Sequence, residues 1–279
     1  MEARGGPGAR GVSLLADVLA TKRREVEALR ARPRRDVPRR EPIDPVGALR
    51  RGRGEPLRLV AEVKLRSPSA GVLSRRLRPE ERALAYARAG ASMVSVLCDG
   101  PYFDGSFAHL ASARAALDAA GVRVPLLAKE YVIDEAQIAE ARDHGADSVL
   151  LIARILQGSR LRDLARAARA EHLEPLIEVV DERELDQALA AEARLVGVNA
   201  RDLDTLVMDA ARASRVCAAI PAGVVAVRLS GLRDAGDVAE VAGTSTDAAL
   251  VGESLMRDDD PVPRLRSMVE AARDPAAGP

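Results

Sequence analysis

From Leu57 onward the chain repeats one unit: a short apolar run, a turn, then an amphipathic stretch rich in Ala, Arg and Glu. The runs read LRLVAEVKL, SMVSVLC, VPLLAKE, ADSVLLIA, EPLIEVV, RLVGVNA, GVVAVRLS and AALVGESL. Between them lie PEERALAYARAG, DEAQIAEARDHG, SRLRDLARAARAEH and DERELDQAL. Several of these open on Asp, Ser or Pro and close on Gly, as helix caps prefer. Strand alternating with helix demands a parallel sheet with right-handed crossovers. Eight units between residues 57 and 273 match the count and length of a (β/α)8 TIM barrel. An open doubly wound sheet is the competitor, but no G-x-G-x-x-G turn follows the first run. The chain reads as one α/β domain.

Residues 12–48 form an N-terminal helical extension. Within it, Ser13 to Arg32 has helical periodicity, with Leu14, Leu15, Val18, Leu19, Val26 and Leu29 in one stripe, and RPRRDVPRREPIDP breaks it. Such a helix either caps the lower end of a barrel or forms a lid at its mouth, and periodicity does not choose. Residues 1–11 and 274–279 are expected to be disordered.

Composition narrows the function. Lys+Arg and Asp+Glu are both 42, and aromatics make up 2%, which argues against a nucleic-acid surface. Cys98 and Cys217 show no metal-ligand spacing, nor do His109, His144 and His172, so no metal site is expected. No signal peptide and no long apolar run occurs, so the expectation is a cytoplasmic protein without membrane contact, monomeric or weakly homo-oligomeric.

Barrel enzymes carry their chemistry at the carboxyl ends of the strands. In VAEVKLRSPSAG, Glu62 and Lys64 stand two residues apart and share a face, which an apolar core does not tolerate. Lys129 and Glu130 end the third run and Glu178 the fifth. Asn199 and Arg201 follow on the sixth, Arg228 and Ser230 on the seventh, Glu253 and Ser254 on the eighth. A single charged strand residue is commonly a rim ion pair; charges recurring at one end of several strands converge on a pocket. Lysines beside carboxylates serve as general acids or Schiff-base nucleophiles. The turns containing Gly231 and Gly252 fall where barrels hold phosphate on backbone N–H groups. A phosphorylated substrate undergoing carbonyl chemistry is the expectation.

These motifs resemble indole-3-glycerol phosphate synthase over almost the whole chain, from LLADVLATKRREVEALRAR through VAEVKLRSPSAG, SVLCDGPYFDGS, PLLAKEYVID, PLIEVVDERELDQAL and GVNARDLDTL to VGESLMRDDDP. The resemblance implies cofactor-free conversion of 1-(2-carboxyphenylamino)-1-deoxyribulose 5-phosphate to indole-3-glycerol phosphate, with loss of carbon dioxide and water. It implies Lys129 as general acid and Glu62 and Glu178 in acid–base roles. Lys64 would neutralise substrate anions, phosphate included, and exchange roles with Lys129. Asn199, Arg201, Ser230 and Ser67 would contact substrate, Phe103 and Tyr131 would hold the anthranilate ring, and Gly231, Gly252 and Glu253 would meet phosphate. In this reading the carboxylate- and ketone-bearing end of the substrate lies between Glu62 and Lys64.

Three departures from the family pattern stand out. Leu127-Ala-Lys-Glu-Tyr131 replaces Leu-Arg-Lys-Asp-Phe, Cys98 replaces Thr, and Arg228-Leu-Ser-Gly231 replaces Ala-Glu-Ser-Gly. Leu229 thus stands for a carboxylate. Arg228 either enters the pocket and sets specificity or points outward between strand and helix. The alternative functions are a relative acting on a modified anthranilate-derived or other aryl-amino sugar phosphate, and a ligand-binding barrel without activity.

Overall fold

The computed structural model describes residues 14–33, 37, 40–68, 70–202 and 207–273. The expectations for residues 1–11 and 274–279 lie outside them. Each apolar run forms a strand: β1 Arg58–Val63, β2 Met93–Leu97, β3 Leu126–Lys129, β4 Ser148–Ile152, β5 Glu174–Val179, β6 Leu195–Val198, β7 Val225–Arg228 and β8 Ala248–Val251. All pair in parallel with their sequence neighbours, and β8 closes on β1 with Arg58 opposite Ala248. The strands read as near-continuous apolar runs because both faces are covered.

The two faces follow a period of two. Leu59, Ala61 and Val63 of β1 join the outer layer against the helices, whereas Val60 joins the inner cluster with Met93, Leu127, Leu176 and Leu195. The surrounding helices start where the sequence has Asp. The side chains of Asp134, Asp181, Asp209 and Asp234 each accept a backbone N–H at the first turn of α6 (Glu135–Asp143), α8 (Glu182–Ala190), α9 (Ala210–Ala219) and α10 (Ala235–Ala242).

The N-terminal extension reaches both ends of the barrel. Helix α2 (Pro45–Leu49) plugs the bottom: Val46 and Leu49 enter the inner cluster. Asp147 and Asp247, just before β4 and β8, accept the N–H groups of Ile43 and Arg51. Helix α1 (Leu14–Arg30) lies instead across the mouth, with Val18 and Val26 buried and Leu15 and Val18 facing the cavity. Of the two places open to this helix, the structure has the one at the mouth. Among the described residues no helix is long and apolar enough to cross a membrane.

Candidate active site

The period of two carries the inner face of the strands upward from apolar core into the cavity. Val60 is followed two residues later by Glu62, Leu127 by Lys129, Leu176 by Glu178 and Val227 by Leu229. The cavity at the mouth has a volume of about 910 Å³. Glu62, Lys64, Ser67, Phe103, Lys129, Tyr131, Glu178, Asn199, Arg201, Ser230, Gly231, Gly252 and Glu253 all line it.

Two carboxylate–ammonium pairs dominate its chemistry. Lys64 Nζ lies 3.0 Å from Glu62 Oε1, so the side chains expected to flank the substrate meet each other directly. Ser95 Oγ donates to the other Glu62 oxygen at 3.4 Å. Lys129 Nζ donates to Glu178 Oε2 at 3.4 Å. Glu62 is 4% exposed and Glu178 2%, burial that a carboxylate tolerates only when paired.

A chain of hydrogen bonds then crosses from β5 to β7. Asn199 Nδ2 donates to Glu178 Oε1 at 2.9 Å, and Asn199 Oδ1 accepts from the Ser230 hydroxyl at 2.8 Å and the Arg201 N–H at 3.0 Å. Ser230 Oγ accepts the Ala200 N–H at 2.9 Å. These bonds fix which way the Asn199 amide points. The rings of Phe103 and Tyr131 lie 6.3 Å apart, tilted at 38°, and form an aromatic wall.

The glycines have separate reasons. Gly231 has φ +97°, which favours glycine outright. At Gly252 a Cβ would sit 2.7 Å from Glu62 Oε1, so this position makes room for the carboxylate, a reason beyond any contact with phosphate.

Strand β7 separates its two unusual residues by parity. Leu229 lines the cavity and packs over Gly197, where a Cβ would come within 2.5 Å of its Cδ1. Arg228 is absent from the cavity wall. Its Nε donates to the Ser230 carbonyl at 3.2 Å and its Nη1 to Ser214 Oγ on α9 at 3.3 Å. Of the two positions open to Arg228, the structure has the outward one, between strand and helix, because Val225, Val227 and Leu229 take the inward positions.

One residue of the site escaped the sequence reading. Lys22 of α1 is fully buried, with Nζ 2.8 Å from Glu25, 2.7 Å from Asp99 and 2.8 Å from Glu130. Burial disfavours its charge, but Glu130 and Asp99 outweigh that and hold the ammonium above its ordinary value. Burial pushes Glu130 up to about 7 against the pull of Lys22, since one ammonium shared among three carboxylates does not neutralise them all. The signal was compositional. The chain has only three lysines among its 42 Lys and Arg residues, namely Lys22, Lys64 and Lys129, and all three stand at this mouth.

Comparison with known proteins agrees with this geometry. The family profile described as Indole-3-glycerol phosphate synthase matches residues 15–268. The chain belongs to that family. It is 42% identical over 237 residues to an indole-3-glycerol phosphate synthase of Mycobacteroides abscessus, covering 85% of this chain and 84% of that one. It is 40% identical over 249 residues to "Indole-3-glycerol phosphate synthase 1" of Streptomyces coelicolor, covering 89% and 87%. Among solved structures, 3-hexulose-6-phosphate synthase superposes with a TM-score of 0.60 at 16% identity, covering 77% of this chain and 99% of that one. Thiamine phosphate pyrophosphorylase from Pyrococcus furiosus gives 0.59 at 14%, covering 81% and 100%. At such identities the two structures speak for the barrel fold alone. Against the family pattern, Asp99 and Glu130 keep acidic residues after β2 and β3, and here both serve Lys22. Of the departures, Glu130, Tyr131 and Leu229 reach the cavity, and Leu229 is the one that exchanges a carboxylate for an apolar side chain.

Proposed function

We propose that this member of the indole-3-glycerol phosphate synthase family closes the indole ring of 1-(2-carboxyphenylamino)-1-deoxyribulose 5-phosphate, giving indole-3-glycerol phosphate, carbon dioxide and water. The observation that carries the reading is the presence of two carboxylate–ammonium pairs, Glu62–Lys64 and Glu178–Lys129, in one cavity at the barrel mouth.

The ring carbon bearing the carboxylate attacks the ketone, and Lys129 gives a proton to the ketone oxygen as the carbon–carbon bond forms. A positioned acid of this kind contributes roughly 10²–10⁴-fold. Carbon dioxide leaves, and its bonding electrons restore the aromatic ring. Dehydration follows: the new hydroxyl departs as water with a proton from Lys64, and a carboxylate, Glu62 or Glu178, takes the proton from the neighbouring methylene. Asn199 holds Glu178 on the side away from Lys129, keeping it an acceptor. The wall of Phe103 and Tyr131 suits the anthranilate ring, and backbone N–H groups near Gly231 and Gly252, with Lys64, suit the phosphate.

The test is an indole-fluorescence assay on the purified protein with this substrate, run beside ring-substituted analogues. Growth of indole emission is expected; its absence at enzyme concentrations that give several potential turnovers overturns the reading.

A further inference from the structure

Every lysine of the chain stands at the mouth, yet only two belong to the pairs described above. The third, Lys22, sits on a helix outside the barrel repeat, in the line Val18–Lys22–Val26 that faces inward. Elsewhere this chain meets its need for cations with arginine. A guanidinium is a flat fork whose donors lie in one plane, whereas an ammonium is a compact charge approachable from several directions. Lys22 meets three carboxylates from three elements: Glu25 of α1, Asp99 after β2 and Glu130 after β3.

The two strand-end partners are joined to the cavity wall. Glu130 follows Lys129 directly, and its Oε1 accepts the N–H of Tyr131 at 2.6 Å. Asp99 uses its second oxygen to accept the Tyr102 N–H at 2.8 Å, capping the short helix α4 (Gly100–Phe103) that ends on Phe103. One ammonium thus fastens the backbone on either side of the aromatic wall and beside Lys129. Helix α1, which carries Lys22, also supplies Leu15 and Val18 to the cavity.

We propose that Lys22 is a positioning residue for catalysis: by clasping Asp99 and Glu130 it seats α1 over the cavity and sets the backbone that aims Lys129 at Glu178. The inference rests on the ring-closing role of Lys129 stated above. Arginine is a poor substitute there, because the site is closed and its partners approach from different sides.

The test uses the full chain labelled at lysine side chains with ¹³C and ¹⁵N, which gives three side-chain resonances. Lys22→Met removes one of them. It is expected to shift the Lys129 resonance, to leave that of Lys64 in place, and to lower kcat by about tenfold to a hundredfold, the scale of an ångström of misplacement. A companion variant, Lys22→Met with Asp99→Asn and Glu130→Gln, removes the buried carboxylate charge left behind and keeps the test open should the single variant not fold. A folded variant with kcat within twofold of wild type overturns the proposal, as does a fall in kcat with the Lys129 resonance unmoved. Should the wild type fail to turn over the substrate, the ring-closing role fails and the Lys129 resonance alone decides the clasp.

Discussion

Asn199 grips one oxygen of Glu178 at 2.9 Å while Lys129 holds the other at 3.4 Å. The carboxylate is therefore held between a neutral donor that stays and a charged donor able to give up its proton. Lys129→Met keeps most of the side-chain length without the proton and should lower kcat by about 10²–10⁴-fold with the thermal midpoint little changed. Near-normal turnover would show that Lys129 is not the acid.

The amide grip gives a second expectation. Asn199→Asp replaces a donor with a carboxylate beside Glu178, where like charges repel. It should therefore lower kcat further than Asn199→Ala, which loses the donor and adds no charge. Equal kcat for the two variants would mean that charge beside Glu178 does not matter to turnover.

Gly252 separates two roles that a phosphate loop alone would merge. Adding one methyl there brings it 2.7 Å from Glu62 Oε1. Gly252→Ala should therefore displace Glu62 and lower kcat by about tenfold, with affinity for a phosphorylated product analogue changed less; the tenfold corresponds to ~1.4 kcal/mol of transition-state stabilisation. Lost affinity with kcat unchanged, by calorimetric titration and kinetics, would assign Gly252 to phosphate alone.

Glu130, pushed by burial to about 7 from the ordinary 4.5, makes stability depend on pH in an unusual direction. Between those values the folded protein holds a proton that the unfolded chain has released, so unfolding releases it and stability falls as pH rises through the window. Glu130→Gln should flatten that slope. Thermal midpoints measured at intervals across and above the window check it, and an unchanged slope would locate the proton elsewhere.

On β7 the two departures from the family should behave differently. Arg228→Ala removes a guanidinium that faces Ser214 and the Ser230 carbonyl, so the ratio of kcat/KM between the carboxyphenylamino substrate and its ring-substituted analogues should stay put. Leu229→Glu returns a carboxylate to the cavity wall and should change that ratio by about tenfold, the worth of one well-placed hydrogen bond. A ratio that follows Arg228 instead would mean that its influence reaches the substrate through the β7–α10 loop.

Much of this was legible in the sequence because a barrel strand repeats every two residues. Glu62, Lys129 and Glu178 interrupt apolar runs at positions where the inner face emerges from the core, so their meeting follows from parity. Parity also separates Leu229 from Arg228, since Val225 and Val227 already mark the inward positions. Lys22 was not legible that way. It occupies a place in the helical stripe that periodicity assigns to an apolar side chain, inside the charged stretch KRRE, and its partners lie 77 and 108 residues further along the chain. The placement of α1 at the mouth rather than beneath the barrel depends on those partners, and no local pattern encodes it.

Helices α1 and α2 lie at opposite ends of the barrel, yet both come from its first 49 residues. Their anchors are synthesised later: Asp99 and Glu130 for Lys22, Asp147 for Ile43, and Asp247 for Arg51, which is 196 residues further on. At a ribosomal pace of roughly 5–20 residues per second, that last interval lasts ~10–40 s. Until their partners emerge, Val18, Val26, Val46 and Leu49 lack the surfaces that bury them in the folded protein. The nascent chain must keep them in solution, a task to which the arginines of RARPRRDVPRR between them are suited, as charged flanks that discourage aggregation. The two helices are thus made before the residues that seat them, α1 waiting for Glu130 just after β3 and α2 for Asp247 just before β8.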